Sequence, residues 1–183
     1  MKQVLMGLIL LASFSRSFAG DHDPKSIIPL LKTSKVSLLD GIAFAEKTSG
    51  VVTSAKYEVE NGALMLSVYT VPEGLGGEPE TATLTELAGP AASGTAGLKA
   101  EVFADKEHIA RASVHMTLFK LSKANIKQVI ALALRRVPGT PIDIRNPRVA
   151  NHRAVAEVVI ACPSGKATTV AVDLLNGQTA VLP

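Results

Sequence analysis

The chain has 183 residues, with 19 Lys plus Arg, 16 Asp plus Glu, 4 His, one Cys and no Trp. One cysteine excludes an internal disulfide framework, so stability has to come from buried apolar surface. The densest basic group is Arg135-Arg136, which excludes the clustered positive face of a nucleic-acid binder, and the plentiful aliphatic residues exclude a disordered chain.

Residues 1–19 read as a secretory signal peptide. Lys2 gives the basic start, Val4 to Leu11 the apolar run, and Ser17-Phe-Ala19 the small residues before a cleavage site. That run is too short to span a bilayer, which needs about 20 apolar residues, and no later stretch is longer, so an integral membrane segment is not expected after signal removal. Without Lys2 and Arg16, 17 basic residues stand against 16 acidic ones. The expected location is periplasmic or secreted.

Residues 20–35 form a polar lead-in with a short apolar patch at Ile27 to Leu31. Ser37 is placed to cap a helix over 38–48 that Gly50 ends. Ala55 to Glu60 then alternates apolar and charged residues up to Asn61-Gly62, the preferred pair for a type I′ hairpin turn. The register puts Val59 opposite Leu64 and Tyr57 opposite Leu66, with Lys56, Glu58 and Glu60 on a solvated face. A third strand is expected over 82–87, after the Gly/Pro-rich turn at 72–79.

The small, breaker-rich run Gly89 to Leu98 reads as a linker, taken as 89–104. A helix is expected over 105–118, with His108 and His115 on one partly exposed face. Ser122 is expected to open a second helix ending near Arg135-Arg136, where basic residues suit the helix dipole. Strands follow over 142–145, 154–161, 167–174 and 179–182, the last pair joined by a type I′ turn at Asn176-Gly177.

Two stretches repeat one pattern. Ile42-Ala-Phe-Ala45 lies beside Ile130-Ala-Leu-Ala133, Gly50 beside Gly139, and Pro72-Glu-Gly74 beside Pro163-Ser-Gly165. The extra residues of the second copy are expected in a long loop, Asn146 to Arg153, that replaces the tight Asn61-Gly62 turn. The expected fold class is α+β, two tandem units of one helix plus antiparallel strands, over 36–88 and 105–183.

The second unit resembles a PepSY domain. Ile126 to Gly139 looks like that family's helix-to-Gly opening. Val155-Ala-Glu-Val-Val-Ile160, Pro163-Ser-Gly165 and Thr169-Val-Ala-Val-Asp173-Leu-Leu-Asn-Gly177-Gln178 resemble its strand, turn and terminal "V-D-x-x-T-G" region. Asn176 stands where the family usually has Thr. The first unit resembles the pattern more weakly, with no Asp-x-x-x-Gly ending after Leu87. The resemblance implies a cystatin-like fold and a non-enzymatic role: an exported module, peptidase-inhibitor-like or chaperone-like, that binds a partner polypeptide such as a secreted peptidase. Arg148, Asn151, His152 and Arg153, in the expected loop, are the candidate partner contacts.

No catalytic constellation is evident. The serines lie outside any Gly-x-Ser-x-Gly elbow, and Cys162 beside Pro163 reads as a structural thiol. One metal motif stands out. Cleavage after Ala19 would begin the chain Gly20-Asp21-His22, whose α-amine, amide nitrogens and imidazole suit square-planar Cu(II) or Ni(II). This metal binding is the alternative function, and no other cofactor is expected.

Overall fold

A computed structural model describes residues 22–72, 83–103, 105–122, 124–145 and 147–183. The expected signal peptide, Gly20, Asp21, Asn146 and the 73–82 segment lie outside the described residues. The lead-in is not extended coil. It forms a short helix, α1 (Pro24–Ile27), and a 3-10 turn over Ile28–Thr33, and it buries Ile27.

Helix α2 (Leu38–Thr48) begins where the sequence places it. Ser37 caps it, and Asp40 returns a bond to the Ser37 backbone, so two orphan donors are satisfied together. Leu38, Ile42 and Ala45 form its buried stripe. Strands β1 (Val51–Glu60) and β2 (Ala63–Val71) follow in the predicted register, with Val59 opposite Leu64 and Tyr57 opposite Leu66. Asn61 and Gly62 have φ of 50° and 77°, both left-handed, as a type I′ turn requires.

The stretch expected as a linker is structured. Strand β3 (Leu84–Pro90) pairs with β2 along its length, two short 3-10 turns cover Ala91–Gly97, and β4 (Lys99–Phe103) pairs back onto β3. Gly89 is needed for close approach rather than for flexibility, because a Cβ there would lie 2.2 Å from the Gly97 carbonyl oxygen.

Helix α3 (Lys106–Leu121) starts at an Asp105 cap, and α4 (Ile126–Arg136) at an Asn125 cap with Gln128 completing a capping box. Ser122 does not open α4. Its Oγ lies 2.9 Å from both the Ala124 and Leu174 carbonyl oxygens and ties the α3–α4 connection to the sheet. The remaining strands are β5 (Thr140–Ile144), β6 (Arg148–Ala150), β7 (Arg153–Ala161), β8 (Ala167–Asp173) and β9 (Thr179–Val181).

All nine strands among the described residues join one antiparallel sheet in the order β4-β3-β2-β1-β5-β7-β8-β9, with β6 also on β7. The fold is therefore mixed helix and antiparallel sheet. Strands β5 and β6 lie end to end along β7, as the single strand β1 lies along β2. The first strands of the two halves meet at the centre, through Ala55 opposite Ile144 and Lys56 opposite Asp143. Helices α2 and α4 cover one face. A single apolar cluster runs from Ile42 and Leu66 to Ile130, Ile144 and Ile160, so the halves share a core.

Gly50 and Gly139 take equivalent places at the starts of β1 and β5. A Cβ on Gly50 would lie 2.5 Å from the Val71 carbonyl oxygen, and one on Gly139 would lie 2.4 Å from that of Ala161. In each half the helix turns into the sheet so tightly that its backbone rests on the end of a neighbouring strand, β2 in the first half and β7 in the second. Three residues after each glycine the pairing slips, between Val52 and Ser54 and between Pro141 and Asp143, which marks a bulge at the same point of both hairpins.

The expected long loop at 146–153 is mostly a hairpin. Ala150 pairs with Arg153, and the two residues between them, Asn151 and His152, have φ of 49° and 61°. They repeat the backbone of Asn61-Gly62 with a histidine in the glycine position. The extra length falls earlier, in the break between β5 and β6. The expected type I′ turn at Asn176-Gly177 does not form: of that pair only Gly177 has positive φ. The Asp173 carboxylate instead accepts from the Leu175 and Asn176 amides at 2.9 and 3.3 Å and holds a wider turn.

Candidate functional site

The face of the sheet opposite α2 and α4 carries most of the buried charge. Alternation along β1 sends Ala55 and Tyr57 to the core and Lys56 and Glu58 to this outer face. It is not the solvated face that the sequence pattern predicts, because Glu58 is buried. Its Oε1 accepts from Ser67 Oγ at 2.8 Å, and its Oε2 lies 3.0 Å from Lys56 Nζ. A carboxylate this deep is tolerated only with such partners. His22 reaches the same pair, with Nδ1 3.6 Å from Glu58 Oε2 and Nε2 3.4 Å from Lys56 Nζ.

The second half repeats the arrangement with different residues. Glu157, in the middle of β7, is buried. Arg145 Nη1 lies 3.2 Å from its Oε2, and Arg148 bonds its Oε1. Arg145 Nε also meets Asp143 Oδ2 at 3.1 Å. Burial pushes the Asp143 carboxyl up, and the Arg145 hydrogen bond and charge act against that shift.

Helix α3 crosses the outer face of the first half. Ala112 and Met116 pack on Val71 and Leu84, with Tyr69 and Phe103 beside them. The two helix histidines do not share an exposed face. His108 stacks on Phe103 with ring centroids 4.4 Å apart, and its Nδ1 lies 2.6 Å from Asp105 Oδ2. His115 is buried, its Nδ1 without a hydrogen-bond partner, and burial followed by the nearby Arg111 charge lowers its pKa to about 4. Tyr69 is held neutral well above the usual phenol range, first by burial and then by Glu86.

Two concavities open on this face. One, of about 330 Å³, lies where β1, β5 and α3 meet, with Lys56, Tyr69, Arg111, Asp143 and Arg145 in its walls. The other is a groove of about 760 Å³ on the second half, running from Arg148, Asn151 and Arg153 across Glu157 and Ala171 to Thr179 on β9. The groove gathers three of the four residues expected to contact a partner. His152 is exposed at the turn but does not line it. Asp173, buried at its floor, lies 3.7 Å from Arg153 Nη1.

Cys162 is half-buried at the β7–β8 turn, its Sγ 3.5 Å from Thr168 Oγ1. Of the expected metal motif only His22 is among the described residues, and among those residues no group of three or more His, Cys, Asp and Glu is placed to hold a metal. No described helix is long and apolar enough to cross a membrane.

Comparison with known proteins adds little. No family model matches this sequence, and no curated protein does. A crystal structure of a candidate lipoprotein from Clostridium difficile 630 is similar at 16% identity, covering 82% of this chain and 92% of that one, with a TM-score of 0.40. At that level the likeness carries no argument.

Reading the sequence missed Arg145, Glu157, Tyr69 and Arg111. For Glu157 the signal was present: a lone carboxylate inside Val155-Ala-Glu-Val-Val-Ile160 requires cations from elsewhere. For Arg111 nothing local points to the site, since only the docking of α3 brings it there.

Proposed function

We propose that this protein is an exported, non-enzymatic binding module of PepSY type, built from two tandem cystatin-like units, that holds a partner polypeptide against the outer face of its second half. The observation that carries this reading is the groove beside β9. Strand β9 pairs with β8 alone among the described strands, so its outer edge offers backbone donors and acceptors to an extended chain. The groove alongside offers two arginines, Arg148 and Arg153, at one rim and small residues, Ala171 and Thr179, across its floor and far side. A peptide added to β9 would bond through its backbone and drop alternate side chains into the groove.

This suits a peptidase-inhibitor-like or chaperone-like role, in which the partner is gripped by shape and backbone rather than by one sequence. Filling the groove tests it. Ala171→Trp is expected to abolish binding of a permanently unfolded probe, reduced and carboxymethylated α-lactalbumin, while leaving the melting temperature nearly unchanged. Equal binding by wild type and variant would remove the groove from the mechanism.

A further inference from the structure

The smaller concavity is a separate site. It sits at the junction of the halves, where β1 and β5 pair through only two residues each. Three permanent cations reach it from three elements: Lys56 from β1, Arg111 from α3, and Arg145 just past β5. One carboxylate, Asp143, faces them. Buried Leu84 completes the wall with Tyr69, over whose ring Lys56 Nζ lies 5.8 Å from the centroid, and the paired strands border it at Ala55 and Ile144, whose side chains belong to the shared core. Arg145 is anchored by Asp143 in the wall and by Glu157, and Lys56 by Glu58. Arg111 is not anchored in this way. Its partner is Glu107, one turn back on α3 at 2.9 Å, and both side chains are well exposed, so that pair is worth little and is readily exchanged.

We propose that this cleft binds a carboxylate carried on a short apolar body, with Arg111 as the recruited clamp and the Tyr69 and Leu84 surface taking the apolar part. Guanidinium groups match carboxylates in two-pronged geometry, and a volume of about 330 Å³ sits at the small end of ligand cavities, roughly 300–1,000 Å³. Lys56 and Arg145 are already paired with Glu58, Asp143 and Glu157, so Arg111, held only by exposed Glu107, selects an anion, and the apolar wall selects a tail. The carboxylate has two sources, a free small acid or the C-terminus of a peptide. The proposal stands independently of the groove at β9.

Calorimetric titration of the mature protein with hexanoate, with N-acetyl-Ala-Leu and with the C-terminal amide of the same dipeptide tests it. Binding of both acids but not the amide supports the shared chemistry. Hexanoate alone identifies a free acid, and the peptide acid alone identifies a chain end. Arg111→Gln is expected to weaken the acid about tenfold at unchanged melting temperature. Amide shifts in the wild-type protein are expected at Ser54, Ala55 and Ile144, which keeps the test independent of the variant. Equal binding of amide and acid, no binding of either acid at millimolar concentration, shifts elsewhere, or unchanged affinity in Arg111→Gln would overturn it.

Discussion

The two central hairpins turn on different residues with nearly the same backbone. Asn61-Gly62 and Asn151-His152 both enter at φ near 50° and leave at positive φ, 77° for the glycine and 61° for the histidine. Only the first pair is a strong local turn signal; histidine in that conformation carries a steric cost that glycine does not. The second turn forms because β6 and β7 are already in register, with Arg148 fixed on buried Glu157. The lesson is that one frame is specified locally in the first half and by tertiary pairing in the second. The buried carboxylates differ in the same sense. Glu58 relies on Lys56 two residues away, whereas Glu157 is held by cations reaching across strands.

The largest effect tests whether the halves are one cooperative body. Ile42 and Ile130 are the matching core residues of α2 and α4, and both are fully buried. Ile42→Ala and Ile130→Ala should each cost about 2–5 kcal/mol. Because the core is shared, each variant should melt in a single transition, and separate transitions in calorimetry would break the comparison at its base.

The next effect concerns α3, which packs on β1 and β3 of the first half and reaches β6 of the second. Its buried His115 titrates near 4 rather than at its ordinary 6.5. The unfolded chain therefore binds the proton more readily, so the stabilisation is complete above about pH 6.5 and is lost as pH falls toward 4. Denaturation should show about 2–3 kcal/mol lost over that window, and His115→Leu should flatten the slope. Hydrogen exchange should locate the acid opening in α3, with α4 still protected.

A smaller difference separates the carboxylates. Lys56→Ala leaves Glu58 with Ser67 and a part-exposed histidine, and should cost about 2–3 kcal/mol. Arg148→Ala leaves Glu157 with Arg145, and should cost only about 1 kcal/mol. Urea midpoints in the reverse order would contradict the assigned partners. The smallest effect is at the turns. His152→Gly should stabilise by about 0.5–1 kcal/mol, and Gly62→Ala should destabilise by a similar amount.

These contrasts explain what the sequence could reveal. Helix α2, its Ser37 cap, the first hairpin and its register are local properties, and each was legible from spacing and turn chemistry. Helix α4 was legible from its apolar stripe, although its cap was not: Ser122 competes with Asn125 as a start, and only packing on Leu174 decides between them. Strand β4 was hidden because the glycines before it look like breakers, while Gly89 serves a close contact. Arg148, Asn151 and Arg153, expected in one loop, line one groove, but on a hairpin rather than a loop, since Asn-His does not announce a turn. The cations of the junction cleft come from segments far apart in sequence, and no local pattern brings them together.

In the proposed function the halves share a frame while the second alone holds the partner polypeptide. Among the described strands, β4 and β9 are the opposite edges of the sheet. A photo-cross-linking residue placed in turn at Glu101 on β4 and Thr179 on β9, followed by capture from the cells and medium of the producing organism and mass spectrometry, compares them directly. Glu101 is the more exposed position, so indiscriminate cross-linking would favour it. Polypeptide adducts are expected at Thr179 and few at Glu101; equal yields, or a preference for Glu101, would contradict binding by the second half alone.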